Sequence, residues 1–351
     1  MRRGRLGRFS LVMALFALLM LLSPLFAQER TVTPEYFHIK DFKFQSGEVL
    51  SDLVVEYATL GNKKVDKAGN ITNAIVWCHV WGGSAAQIGE AKGVVGPGKM
   101  FDTTRYFIIA PTTIGSPGSS SPSTSKLGPK FPKYTMGDIV RAQYILVTEH
   151  LKIKHLKGVA GPSMGGYQTL EWAVSYPGFM DFIIPIATSY EHKGRVLGIF
   201  ELMSNAIKTD PDYQGGNYRE QPATGMRNGF MGNFLWYFSD AFYKEKYPTT
   251  ETFLKTVDGA GRAAGKADAN DVVWRNNSMR TYDTKGRISK IKARALVIGI
   301  NQDELFPPSD ALALSKSIKG ARLFIYDSLF GHVGCTYDLI KAEQAVRDFI
   351  K

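Results

Sequence analysis

The chain has 351 residues, 44% hydrophobic and 21% charged, with a formal net charge of +11. This composition excludes a disordered chain and admits one large or two average domains. Its Lys and Arg residues are scattered, with no run of five or six, which argues for a solvated surface and against a nucleic-acid partner.

Residues 1–27 form a separate element. Arg2, Arg3, Arg5 and Arg8 precede an apolar run from Phe9 to Leu22, and Ala27 follows Ser23-Pro24. That is the layout of a secretory leader cut after Ala27. The run is short of the roughly 20 residues a membrane span needs, so no stable span is expected after cleavage. An uncleaved anchor is the alternative. The four arginines account for four charges, leaving +7 on residues 28–351. The expected location is periplasmic or secreted.

After the leader, "YFHIKDFKFQSGEVLSDLVVEYATLG" reads as two strands joined at Ser46-Gly47. "NAIVWCHV" and "YFIIAP" are short apolar runs of the kind that form strands buried on both faces. "MGDIVRAQYILVTEHL" has helical spacing. "LKGVAG" reads as a strand, "GYQTLEWAVSYP" as a helix stopped at Pro177, and "DFIIPIAT" as a strand. "ARALVIGI" and "ARLFIYDS" are later strands, each followed by a helical stretch. The alternation predicts an α/β fold: a mostly parallel central sheet with helices on both faces. One interruption, about residues 190–290, lacks buried strands and is rich in aromatic residues, as a helical lid over a pocket would be. "GSPGSSSPSTS" (115–125) reads as a low-complexity loop, flexible or wrapped near the site.

Gly161-Pro162-Ser163-Met164-Gly165 fits G-x-S-x-G between a predicted strand and a predicted helix. That context presents a serine on a sharp turn for nucleophilic attack. A serine hydroxyl needs a base, and the base an orienting acid, in the chain order Ser, Asp or Glu, His. Of six histidines, only His332 follows a late strand. Asp303 ends the strand before it and is the expected acid, ahead of Glu304, Asp310 and Asp327. The oxyanion of acyl transfer requires two backbone donors. Met164 should supply one; Trp81 in "CHVWGGSA" should supply the other, with Gly82 as the alternative. His79 comes too early for the triad order and reads as a tie for that loop. Cys78 and Cys335 read as two buried free thiols, although export permits a disulfide. No motif calls for a metal or cofactor. The expected partner is a small-molecule ester or acyl substrate; a second copy of the chain is also admitted.

From about Glu35 onward the sequence resembles the homoserine O-acetyltransferase branch of the α/β-hydrolases. The resemblance rests on "VVGPGKMFDTTRYFIIAPTTIGSPGSSSP", "FPKYTMGDIVRAQYILVTEHLKIKHLKGVAGPSMGGYQTLEWAVSYP", "NAIKTDPDYQGGNY", "PATGMRNGF", "DELFPP" and the "GH" ending in His332. It implies the α/β-hydrolase fold, a Ser163–His332–Asp303 triad and an acyl-serine intermediate. Two positions depart from that branch. Its arginine for the substrate carboxylate is replaced by Ser204, and its aspartate after the catalytic histidine by Val333. A zwitterionic amino acid would find neither charge paired, which is costly. Acetyl-CoA is also a cytoplasmic donor. The expectation is therefore a carboxylic-ester hydrolase. The alternative is an O-acyltransferase of the homoserine type, with specificity rebuilt by residues such as Arg227.

Overall fold

The computed structural model describes residues 32–351 apart from 91 and 92. The expected leader and its expected cleavage site lie outside the described residues. Eight strands form one sheet: β1 Glu35–Lys43, β2 Val49–Leu60, β3 Ala74–Trp77, β4 Phe107–Pro111, β5 Leu156–Pro162, β6 Met180–Ile186, β7 Arg294–Ile300 and β8 Arg322–Tyr326. Their spatial order is β1-β2-β4-β3-β5-β6-β7-β8. β2 pairs antiparallel with both β1 and β4, and every other pairing is parallel. The β1–β2 hairpin turns through Phe44–Glu48 with Gly47 at φ +91°. A left-handed backbone of that kind suits glycine, which has no Cβ to clash.

Strand alternation sorts the core onto the two faces of the sheet. Ile75, Ile108, Phe182, Ile184 and Ile298 pack on one face, together with Val346 and Phe349 of the C-terminal helix. Val76, Ile109, Val159, Ile183 and Val297 pack on the other, with Val140, Leu170 and Leu314 from three helices. Burying each such aliphatic side chain contributes about 1.5–3 kcal/mol. Both faces are covered, which is why the central strands read as continuous apolar runs.

Seven-residue or longer helices follow in chain order: α1 Met136–Ile145, α2 Met164–Ser175, α3 Arg195–Lys208, α4 Ala223–Phe234, α5 Asp240–Lys246, α6 Thr250–Ala263, α7 Ala269–Arg280, α8 Pro308–Ser317 and α9 Glu343–Ile350. A capping box closes the start of α1: the Thr135 side chain accepts from Asp138 N–H, and the Asp138 carboxylate accepts from Thr135 N–H. Five helices, α3–α7, lie between β6 and β7, with no strand among the described residues there.

Two local expectations are revised and one is narrowed. The strand expected over 73–80 ends at Trp77, because Cys78 N–H makes a last bond to Ala160 O and the chain then turns away. The helix expected to 151 changes pitch, passing from α1 into a π-helical turn over Leu146–His150. The serine-rich loop, read as flexible or wrapped near the site, is packed against β2. Ser116, Ser119, Ser120 and Ser121 are buried, and Ser119 Oγ and Ser120 Oγ accept from the N–H groups of Glu56 and Val54 on β2. Cys78 and Cys335 are both buried and free.

Candidate active site

The candidate residues gather at the C-terminal ends of the parallel strands, where open α/β sheets hold their sites. Ser163 is the single residue between β5 and α2, with φ +56° and ψ −121°. That backbone is strained, by about 1–3 kcal/mol. It is held by bonds on both sides: Ser163 N–H donates to Ile186 O at 2.9 Å, and Gly166 N–H donates to Ser163 O at 2.8 Å. The flanking glycines are required by proximity. A Cβ on Gly161 would sit 2.6 Å from Cys78 O, and one on Gly165 would sit 2.2 Å from the same oxygen.

Asp303 follows β7, and His332 lies in the turn after β8. The Ser163 hydroxyl donates to His332 Nε2 at 2.9 Å, and His332 Nδ1–H donates to Asp303 Oδ2 at 2.8 Å. The other carboxylate oxygen, Oδ1, accepts from the N–H groups of Leu305 and Phe306 at 2.9 and 2.8 Å. Serine, histidine and aspartate are all buried, at 8%, 6% and 2% exposure. The arrangement can move a proton from hydroxyl to imidazole while the carboxylate stabilises the imidazolium formed. The alternative acids do not bond His332: Asp327 binds Asn301 and Gln302 at the surface, and Asp310 lies in the first turn of α8.

Met164 N–H begins α2, where the helix end favours negative charge. Trp81 follows His79, whose neutral ring braces the loop. His79 Nδ1–H donates to Val80 O at 2.7 Å, and Nε2 accepts from Thr113 N–H at 3.0 Å. Gln168 adds a bond to His79 O from α2. Three of the remaining histidines stand apart from Ser163: His38 and His155 pair aspartates at the surface, and His150 bonds Tyr57.

Several contacts at the site have no sequence signal. The Trp81 indole donates to Asn276 Oδ1 at 2.9 Å, and Asn276 Nδ2 donates to Ser204 Oγ at 3.0 Å. A chain of aromatic rings leads from Trp81 through Phe200, His192, Tyr167 and Phe306 to His332, with neighbouring centroids 5.4–5.9 Å apart. The helical segment also grips the histidine turn. Val333 N–H donates to Tyr237 O, and Ser239 Oγ donates to Leu329 O. Gly331, at φ +57°, has no room for a Cβ against Ser239 N. A cavity of about 350 Å³ lies to one side, lined by Phe238, Tyr243 and Glu304 rather than by Ser163.

Burial sets a pH dependence. It pushes His79 and His192 down to about 4, and Asp310 up to about 6 with help from the Asp303 and Glu191 charges. Between about 6.5 and 4 the unfolded chain binds protons that the folded histidines refuse, so stability falls as pH falls. Asp310 works in the opposite direction between about 4 and 6; it is half-buried, so its contribution is partly screened. The expected net loss from pH 7 to 5 is roughly 2 kcal/mol, a drop of roughly 5 °C in Tm. A thermal melt series reads it directly; a Tm that rises or stays level over that window would contradict the assignment.

Comparison with known proteins agrees with this fold. A model of the alpha/beta hydrolase fold matches residues 73–335. The chain belongs to the α/β-hydrolase family. A protein of Methanothermobacter thermautotrophicus named "Probable acyltransferase" is 34% identical, over 91% of this chain and 98% of its own. A homoserine O-acetyltransferase of Trichormus variabilis is 32% identical, over 92% and 95%. The solved structure of the acetyl esterase MekB superposes with a TM-score of 0.83 at 26% identity, covering 92% and 98% of the two chains. This α/β-hydrolase therefore lies in the homoserine O-acetyltransferase-like branch and is an acyl-transfer enzyme, with both esterases and acetyltransferases among its relatives.

Proposed function

We propose that this α/β-hydrolase is an exported carboxylic-ester hydrolase working through an acyl-serine. Ser163 Oγ attacks the ester carbonyl and gives its proton to His332 Nε2. Asp303 holds the imidazolium, and the N–H groups of Trp81 and Met164 receive the oxyanion. Collapse breaks the ester C–O bond, and the alcohol leaves with the proton from His332. Water then adds to the acyl-serine, passing a proton to His332. The carboxylic acid departs as Ser163 Oγ recovers its proton.

The observation that carries water over an amino-acid acceptor is the chemistry at positions 204 and 333. Ser204 is buried and accepts a hydrogen bond from Asn276, and Val333 packs beside the aromatic cluster of α4–α6. Neither offers a charge to a zwitterion. Arg227, the candidate for a rebuilt anchor, is engaged by Asp258 on the outer surface of the helical segment. We read that segment, with its aromatic wall, as a lid suited to an apolar acyl or alkyl group. The transferase reading draws on the 32% identity to a homoserine O-acetyltransferase.

The test is a panel of p-nitrophenyl acyl esters, with and without homoserine and acetyl-CoA. The proposal predicts ester hydrolysis indifferent to both additions, by protein recovered outside the cytoplasm and starting at Gln28. Consumption of acetyl-CoA that requires homoserine, with negligible ester turnover, would sink the hydrolase reading. Protein retained in the cytoplasm with its leader intact would sink the export reading.

A further inference from the structure

Arg275, on α7, is a buried cation with little to balance it. It is 6% exposed. Its Nη2 donates to Gly115 O at 2.9 Å, while its Nε is buried without a partner among the described residues. Arg280 on the same helix and Arg287 just beyond it each pair a glutamate; Arg275 pairs no carboxylate among the described residues. The acid one turn before it, Asp271, is occupied by the N–H and hydroxyl of Ser123 at 2.9 and 2.5 Å. Leaving a charge in this condition lowers stability, and replacing it with a well-packed apolar group is often stabilising.

The position of the charge suggests what it does. The guanidinium lies over the Trp81 ring, 5.1 Å from its centroid. Behind Trp81 stands His79, kept neutral by burial, with Nδ1–H on Val80 O and Nε2 accepting from Thr113 N–H. Tyr134, whose hydroxyl is buried without a partner, packs against Gly115 beside the same guanidinium. The groups facing Arg275 across the oxyanion loop are therefore uncharged. In a water-excluded site a fixed charge acts strongly on any charge that develops nearby.

We propose that Arg275 is an electrostatic positioning residue for the acyl-transfer step. It braces Trp81 against the oxyanion loop and holds a positive charge, bonded to no carboxylate among the described residues, that favours the tetrahedral intermediate. This rests on the serine mechanism proposed above. A purely structural arginine and a charge retained for the transition state differ in the sign of their effect on stability. Arg275→Met keeps the length and apolar stem and removes the charge.

The experiment measures Tm, kcat, KM and the affinity for a boronic acid that mimics the tetrahedral intermediate, in wild type, Arg275→Met and Arg275→Lys. The expected result for Arg275→Met is a raised Tm with kcat lowered about 10–100-fold and KM within about twofold, in line with the loss of a single oxyanion-stabilising group. Boronate affinity falls by the same factor as kcat/KM, and Arg275→Lys recovers part of both. Unchanged kcat and boronate affinity in Arg275→Met would overturn the inference. So would a Tm that falls together with kcat, which marks ordinary packing. A wild type that neither turns over esters nor binds the boronate would remove the mechanism itself, a failure distinct from either.

Discussion

Replacing Ser163 with alanine is expected to lower kcat for ester turnover by roughly four to six orders of magnitude while leaving the fold intact. The oxygen removed is the one atom that His332 Nε2 addresses, at 2.9 Å, and the one that would carry the acyl group. Alanine keeps the Cβ, so the backbone at φ +56° stays under the same constraint from Ile186 O and Gly166 N–H. What survives is whatever binding and the two oxyanion donors supply to a water attacking unaided. Steady-state kinetics and circular dichroism on the variant read both halves of the prediction. Activity within tenfold of wild type in a folded variant would move the nucleophile elsewhere.

Gly165→Ala should do its damage through structure. The added Cβ falls 2.2 Å from Cys78 O and 2.9 Å from Cys78 C, both backbone atoms, so no side-chain rotation relieves the clash. Either α2 retreats, carrying Ser163 with it, or the chain after β3 retreats, carrying His79 and Trp81. The expected cost is about 3 kcal/mol or more, which lowers Tm by roughly 6 °C or more in a chain this long. Activity should fall beyond the loss of folded protein, because both movements separate the hydroxyl from the oxyanion loop. Gly198→Ala is the control: a Cβ there meets nothing within 4 Å on a helix, and the change should stabilise by about 0.5–1 kcal/mol. Equal melting temperatures for the two variants would remove the packing argument for the glycines.

Ser163, His332 and Asp303 were readable because each carries a local mark. Ser163 has glycines on both sides and a strand-to-helix transition; the other two stand after late strands in the required order. The alternation of buried strands and amphipathic helices was readable for a similar reason: burial on both faces leaves a run of apolar residues that needs no partner to be noticed. The boundary of β3 was not, because Cys78, His79 and Val80 are as apolar or buried as strand residues and leave the sheet only where the oxyanion loop begins. Nor could composition show that Ser116, Ser119, Ser120 and Ser121 are buried. The hydroxyls of Ser119 and Ser120 serve the backbone of β2, which lies about 60 residues away in sequence. Arg275 and Asn276 belong to a helix of otherwise ordinary polar appearance, and only its packing against Trp81 distinguishes them.

The most direct measurement of the central claim is covalent. A fluorophosphonate should phosphonylate the wild-type protein at one site, and mass spectrometry of its peptides should place the adduct on Ser163. Asp303→Asn should slow that labelling, because the amide no longer accepts from His332 Nδ1–H and the imidazole is left in the wrong tautomer to take the serine proton. An unlabelled wild type, or an adduct on any other residue, would contradict the account.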